Sequence, residues 1–415
     1  MCTAGSSCGS DSRESAAAPP RPPGPQVIDV FREHGLEYLA RHEVSFQQRR
    51  VLLDLWGCRT EAMGGNRRTC PKCGYSELHY NSCGNRHCPN CRALARATWL
   101  SARLARFLPI PHFFVTFTLP EELRAIALQN QKAIYDLMFA AQSRTLETLG
   151  KEVFGGTMGM MSALHTWTRE ILYHPHVHSV VTGGALRTGG EGWAPCRPSF
   201  LLPQRRLALR FRKHMMQGLF RLYDENRLRF RGEQQVLKES WAFKRLMGKL
   251  WKKRWVVDVE APPPGARPEQ ALKYLARYAQ GVAISDSRMV STSGESVTFQ
   301  TRDGKRLTLP SEEFLRRYLL HVLPRGLNKL RYYGLYASRA GAELGKARAL
   351  LPKAEARPAL VTEPPLHELE HWEERILALT GVDPLACPRC GCRDLVIIEL
   401  ERSLPVRCAA KRNTS

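Results

Sequence analysis

The sequence predicts an α+β protein, and three observations carry that reading. Short β-branched and aromatic runs, such as FFVTFTL at 113–119, alternate with long amphipathic helical stretches. Residues 158–167 and 173–181 read as the two strands of a hairpin. Cysteines crowd the segment 58–91, marking a small metal module ahead of the main sheet.

The elements follow in order. Residues 27–56 read as helical, with Phe31, Leu36, Leu39, Val51, Leu52 and Leu55 apolar. A basic helix over 92–107 stops before Pro109, and the strand at 113–119 is closed by Pro120. Pro120, Glu121 and Glu122 open a long helix reaching about Leu149. Between Arg205 and Arg254 sixteen Lys/Arg face four Asp/Glu, a local net of +12, punctuated by Trp241, Phe243, Trp251 and Trp255. These tryptophans are read as core packing, with stacking on extruded DNA bases as the alternative. A strand over 255–260 meets the loop APPPG at 261–265, and Pro268 and Glu269 start a helix that Gly281 can close. Residues 282–290 and 296–309 resemble short strands, and 312–323 is helical. From about Ala340 the chain turns rich in Ala, Pro and Glu. The expected division is a disordered leader (1–26), a zinc-binding domain (27–107), a catalytic domain (108–339) with a basic insertion (204–254), and a linker with a small cysteine-containing tail (340–415).

Composition narrows the function classes. At 415 residues with 43% hydrophobic content the chain folds into two or three domains, and a net charge of +23 points to nucleic acid or another polyanion as partner. No run of 18 uncharged apolar residues exists, so no membrane span is expected. The first 26 residues lack an apolar core and are not a signal peptide. Thirteen cysteines, several in Cys-x2-Cys pairs, therefore read as metal ligands in a reducing cytosol rather than as disulfides.

Cys70-x2-Cys73 and Cys88-x2-Cys91, fourteen residues apart, have the spacing of one four-thiolate structural zinc site. Cys83 and His87 fall inside the loop and either replace a ligand, bind a second ion or simply pack. Cys58 reads as structural, within reach of the same site. Arg86 and Arg92, with Arg67, Arg68 and Lys72, surround the module, which suits a DNA-binding device and, equally, a protein-contact module. Cys387-x2-Cys390, with Cys392 and Cys408, is a weaker tail candidate for metal.

His176 and His178 flank Val177 in YHPHVHSVV at 173–181. Alternation along a strand points both imidazoles the same way, about 7 Å apart, where they can grip one divalent ion. An isolated His-x-His is commonly a solvated strand face, so the pair needs company. Tyr274 and Tyr278 supply it: four apart in KYLARY at 273–278, they share one helix face, with Lys273 and Arg277 on the adjacent stripe. A phenol beside a metal-bound DNA phosphate can attack a phosphodiester, with Lys273 or Arg277 neutralising the phosphate or the phenolate.

The motifs FFVTFTLP, LHTW, HPHVH, KYLARYA and ISDSR, in that order, resemble the HUH endonucleases. More closely, they resemble the two-tyrosine rolling-circle transposases of bacterial insertion sequences, the IS-ninety-one type. CPKC with NSCGNRHCPNC is similar to that family's zinc-binding domain, and FLRRYLLHVLPRGL followed by RYYG is similar to its later segment. The resemblance spans roughly residues 27–336. It implies a ferredoxin-like or palm-type antiparallel sheet, with His176 and His178 as metal ligands and Tyr274 and Tyr278 as paired nucleophiles. It also implies magnesium or manganese as catalytic ion, single-strand cleavage through a 5′-phosphotyrosine, and strand transfer at the element's ends. The third ligand is His165 on the preceding strand or Gln280 on the tyrosine helix. Many relatives carry His-Arg where this chain has Gln280 and Gly281, a departure that also touches a phosphate-contacting arginine. His174 is expected to be a turn or supporting residue, and Arg288 a phosphate contact or a surface ion pair. The expected function is thus a DNA transposase acting on single-stranded element ends at the nucleoid. The alternatives are a plasmid replication initiator or relaxase with the same chemistry, and a catalytically inactive zinc-dependent DNA-binding protein.

Overall fold

The structure, a computed structural model, describes residues 24–279, 282–301, 303–351 and 365–403, without the side chains of 277–279. The helical stretch expected over 27–56 is two helices, α1 (Val27–Arg41) and α2 (Phe46–Gly57). Ser45 divides them: its hydroxyl accepts from the Gln48 amide, and the Gln48 side chain reaches back to the Ser45 amide. β1 (Gly65–Thr69) and β2 (Ser76–Tyr80) form a hairpin around the first cysteine pair, and α3 (Ala93–Leu104) leads to β3 (His112–Thr118). The long helix expected after Pro120 is broken into α4 (Arg124–Gln129) and α5 (Gln131–Phe154). At the break, the Asn130 side chain accepts from the Arg229 amide at 2.7 Å and donates to its carbonyl at 2.8 Å, tying the helix to the basic insertion. Gly155, at φ 63, ends α5 in the left-handed conformation.

β4 (Gly156–Thr157), β5 (Gly159–Trp167), β6 (Tyr173–Thr182), β7 (Gly184–Arg187) and β8 (Trp193–Pro195) follow, then α6 (Gln204–Asp224), α7 (Ser240–Lys252), β9 (Val257–Glu260) and α8 (Pro268–Ala279). β10 (Met289–Ser293), β11 (Ser296–Gln300) and β12 (Arg306–Pro310) form a separate meander capped by α9 (Ser311–Leu320). β13 (Leu330–Gly334), α10 (Gly341–Leu350), α11 (Trp372–Thr380) and β14 (Val396–Leu400) complete the chain.

The strand expected over 282–290 begins only at Met289. Before it, Asp286 accepts from the Val27 amide at the start of α1, which holds that segment in a turn. The tail is no appendage either, because β14 pairs antiparallel with β1 from Gly65↔Leu400 to Thr69↔Val396. Gly281, expected to close α8, and residues 1–23 of the leader lie outside the described residues, whereas Gln26 caps α1.

The central sheet has the order β13-β5-β6-β3-β9, antiparallel throughout. Its strands alternate in side-chain direction, so the two faces build two cores. Val115, Phe117, Met160, Leu164, Val177 and Val181 pack on α5, α6 and α7. Phe114, Met161, Ala163 and Val180 meet Leu272 and Leu275 of α8 on the other side. A third core joins α1, α2 and α9 to the meander. Among the described residues, no helix is long and apolar enough to cross a membrane.

The tryptophans divide. Trp255 is buried and donates to the Leu250 carbonyl, as core packing requires, but Trp241 is 61% and Trp251 49% exposed. α7 turns its Ala242, Phe243, Met247 and Leu250 stripe inward, which leaves both rings on the outer, basic side. Core packing is therefore wrong for Trp241 and Trp251.

Candidate metal centres and active site

Register brings the three histidines together. His165 on β5 lies directly opposite His176 on β6, and His178 is two residues further along β6. Their ligand nitrogens all lie within 4.8 Å of one another. His165 Nδ1 stands 2.9 Å from His176 Nε2. His176 Nδ1 reaches the His174 carbonyl at 2.6 Å, so this nitrogen carries the proton and Nε2 keeps its lone pair. Thr116 on β3 holds His178 Nδ1 at 3.0 Å, which turns the Nε2 of that ring outward in the same way. Two imidazole nitrogens facing each other this closely call for a proton or a cation between them. For bonds of about 2.1 Å, ligands at right angles around an ion lie roughly 3.0 Å apart. The donor set fits a divalent ion. His174 supports the group through its carbonyl, while its own ring faces Arg124 at 2.8 Å.

α8 covers the sheet face that bears these histidines. Leu272 and Leu275 pack into the core beneath it, and the Tyr274 ring meets Phe114 edge-on at 4.4 Å. Phe114 is opposite Val180, one pleat along from His178 and its partner Thr116. Lys273 is half-buried on the same helix. The side chains of Arg277 and Tyr278, and all of Gln280, lie outside the described residues.

The cysteines form two clusters rather than one. Cys58, Cys83, Cys88 and Cys91 converge in one, and Cys70, Cys73, Cys387 and Cys390 in the other. The single site expected of Cys70, Cys73, Cys88 and Cys91 is thus corrected: the β1–β2 hairpin carries the first pair away from the second, and Cys58 at the end of α2 and Cys83 complete the inner group. Its sulfurs are 3.5 Å apart for Cys58 and Cys91, and 3.7 Å for both Cys83–Cys91 and Cys58–Cys88. A zinc tetrahedron with bonds near 2.3 Å has edges of about 3.8 Å. Hydrogen bonds from Cys58, Cys83 and Cys88 drive the Cys91 thiol far down, while those to Cys58, Cys88 and Cys91 push Cys83 up. His87 is not among the ligands; its carbonyl accepts from the Tyr318 hydroxyl at 2.5 Å and its Nε2 from the Leu323 amide. The tail signal was present in the sequence, since Cys-Pro-Arg-Cys-Gly at 387–391 repeats Cys-Pro-Lys-Cys-Gly at 70–74.

Arg86 donates to the carbonyls of Leu323, Pro324 and Leu327, so the inner cysteine loop is bolted to the segment leading into β13. Arg86, Arg92 and Lys329 line one cleft there. Burial and the nearby Arg86 and Arg92 push the Lys329 ammonium down to about 7. Its Nζ lies 5.5 Å from the centre of the Trp167 ring, which in turn sits 3.8 Å from the His165 ring. Lys329 carried no motif that would single it out; only the fold sets it beside the histidines. Arg288 braces the β5–β6 turn instead of projecting outward, donating to the carbonyls of Gln300 and Arg169 at 2.7 Å each.

Known proteins resemble this chain in sequence. The family described as "Putative transposase" matches residues 159–343, and the family described as "Transposase zinc-binding domain" matches residues 30–119. The chain is 40% identical over 397 residues to "Putative transposase y4qJ" of Sinorhizobium fredii, covering 93% of this chain and 98% of that one. It is 27% identical over 345 residues to "Transposase for insertion sequence element IS801" of Pseudomonas savastanoi pv. phaseolicola, covering 81% of this chain and 80% of that one. No solved structure matches the chain. The inner cysteine cluster falls within the zinc-binding match, and with its sulfur geometry it marks a structural zinc domain.

Proposed function

The chain belongs to the IS91 family of insertion-sequence transposases, and within that family we propose that it nicks and rejoins single DNA strands at its element's ends by tyrosine chemistry. The observation that carries this reading is the convergence of His165, His176 and His178 on the sheet face that α8, bearing Tyr274, covers.

His165, His176 and His178 hold a divalent ion, which when bound polarises the scissile phosphate and offsets its growing charge. His165, rather than Gln280, is the third ligand. Three imidazoles favour manganese over magnesium, because the harder magnesium ion prefers oxygen donors. Tyr274 or Tyr278 loses its phenolic proton and attacks phosphorus, the 3′-oxygen leaves, and the 5′-phosphate stays on the tyrosine. A 3′-hydroxyl then attacks that phosphotyrosine, restoring both the diester and the phenol. Lys273 and Arg277, one on each side of Tyr274 in sequence, neutralise phosphate and phenolate. Two nucleophiles on one helix permit successive transfers without release of a free end.

The zinc domain, the Arg86–Arg92–Lys329 cleft and the basic insertion at 204–254 bind the strand. Trp241 and Trp251, exposed among the cations of α7, offer faces on which unpaired bases stack. Arg288 fixes the turn between the two strands that carry the histidines. Residues 27–107 together with the tail form the end-binding unit, residues 108–339 the nicking unit, and the protein works on DNA in the cytoplasm.

The test is nicking of labelled single-stranded DNA from the element's ends, with manganese, with magnesium and with chelator. Metal-dependent nicking that His176→Ala abolishes supports the reading. Nicking that persists in chelator, or in a His176→Ala plus His178→Ala protein, refutes it.

A further inference from the structure

We propose that Cys70, Cys73, Cys387 and Cys390 bind a second zinc ion, distinct from the one in the inner cluster, and that this ion clasps the C-terminal tail onto the N-terminal hairpin. Two of the four ligands lie far outside residues 30–119, the stretch that matches a zinc-binding domain.

The geometry is that of a preformed site. Cys70 and Cys390 sulfurs are 3.6 Å apart, as are those of Cys73 and Cys387, and all four thiols lie within 4.8 Å of one another. These separations match the edge of a zinc tetrathiolate, about 3.8 Å. They are well beyond a disulfide bond, about 2.05 Å.

The two cysteine pairs are also built alike. In the first, the Cys70 amide donates to the Tyr75 carbonyl at 2.8 Å and the Gly74 amide to the Cys70 carbonyl at 2.9 Å. In the second, the Cys387 amide donates to the Cys392 carbonyl at 2.8 Å and the Gly391 amide to the Cys387 carbonyl at 2.9 Å. Gly74 at φ 72 and Gly391 at φ 73 make the same left-handed turn, which a side chain would strain. Each knuckle adjoins a strand of one small sheet, β14-β1-β2. Two copies of one turn, facing each other across a tetrahedron of sulfur, form a closed structural site with no open coordination position.

Away from its start, where α11 packs on α3 and Ser101 meets His367 at 3.0 Å, the described tail has few other anchors. Val396, Ile397 and Ile398 on β14 are 53%, 55% and 53% exposed, so the strand buries little apolar surface against β1. Beyond the strand ladder, Arg68 donates to the Pro384 carbonyl at 2.6 Å. The inner cluster differs not in burial, since Cys70 and Cys387 are buried as well, but in that Cys58 and Cys88 sit within the core shared by α1, α2 and α9. The outer ion therefore joins chain segments more than three hundred residues apart, whereas the inner one sits inside a core that packing already supports.

The experiment is a zinc count on the full-length, reduced protein, joined with sulfur coordination numbers from zinc X-ray absorption. Two zinc ions per chain, each with four sulfurs, are expected of the unaltered protein. Cys387→Ser combined with Cys390→Ser should leave one, while Cys392→Ser, which changes the adjacent cysteine, should keep two. In the double variant, amide exchange should rise in β14 and β1 but stay slow in β5 and β6, which separates loss of the clasp from global unfolding. One zinc per chain in the unaltered protein overturns the proposal without recourse to any variant. So does a double variant that still holds two ions, or a mass showing disulfides at these cysteines in the protein as purified, before reduction.

Discussion

His165 and His176 face each other across neighbouring strands, with His165 Nδ1 2.9 Å from His176 Nε2. The hairpin read over 158–167 and 173–181 makes His165 a candidate partner across the turn, and the antiparallel register sets it directly opposite His176. On the proposed reading a divalent ion lies between them. His165→Ala should therefore weaken manganese binding as severely as His176→Ala, and each should cut nicking by two orders of magnitude or more, roughly 3 kcal/mol of barrier. Calorimetric titration with manganese and the nicking assay check this together. Manganese should also reach half-maximal nicking at a concentration at least about tenfold below that of magnesium.

Thr116 acts on His178 from outside the ligand set, holding its Nδ1 at 3.0 Å. Thr116→Val keeps the shape and removes the hydrogen bond. Metal affinity should fall about 10- to 100-fold, as it does when ligand-orienting partners are lost. Excess manganese should restore most of the nicking rate. A rate that excess metal cannot restore would mean that Thr116 acts on something other than His178.

The cleft of Arg86, Arg92 and Lys329 should contact DNA backbone. Lys329→Gln removes a cation that burial and the two arginines already hold near a pKa of 7. Single-strand affinity should fall more at pH 6 than at pH 8, because the lysine is charged only on the acid side. The slope of log affinity against log salt should drop by about 0.7 at pH 6. Fluorescence anisotropy over a salt series measures both.

His112 gives the fold a pH dependence of its own. It is fully buried, stacks on Phe107 at 3.9 Å and bonds the Tyr336 hydroxyl at 2.6 Å, and burial pushes its pKa down to about 3. The unfolded chain takes up this proton near pH 6.5, the native chain only near 3. The stability from a neutral His112 is thus present above pH 6.5 and lost as pH falls toward 3, a change on the order of 5 kcal/mol. His112→Phe should flatten this part of the denaturation-versus-pH curve. It should also cost about 1–3 kcal/mol at pH 7.5, because the Tyr336 hydroxyl loses a partner.

Local patterns made much of this protein legible. The 158–167 and 173–181 hairpin is β5 and β6, and the α+β class and antiparallel sheet follow from strand runs whose alternation is written in the chain. Breaks set by tertiary partners were not legible. Asn130 interrupts a continuous helical pattern only because Arg229, a hundred residues on, offers both its backbone groups. The cysteine pairs show the same limit: spacing joined Cys70 and Cys73 to Cys88 and Cys91, but spacing cannot see that Cys387 and Cys390 return on β14. Hydrophobicity alone turns Trp241 and Trp251 inward, although the helical period of α7 sets them off the Ala242, Phe243, Met247 and Leu250 stripe.

The central claim is that a tyrosine of α8 becomes joined to DNA. Its most direct test is to trap the protein on a single-stranded end with manganese, digest the complex, and map the nucleotide-bearing peptide by mass spectrometry. A 5′-phosphate on Tyr274 or Tyr278, with no adduct when both are phenylalanine, is the result predicted. An adduct that survives Tyr274→Phe combined with Tyr278→Phe, or that maps to any other residue, would contradict it.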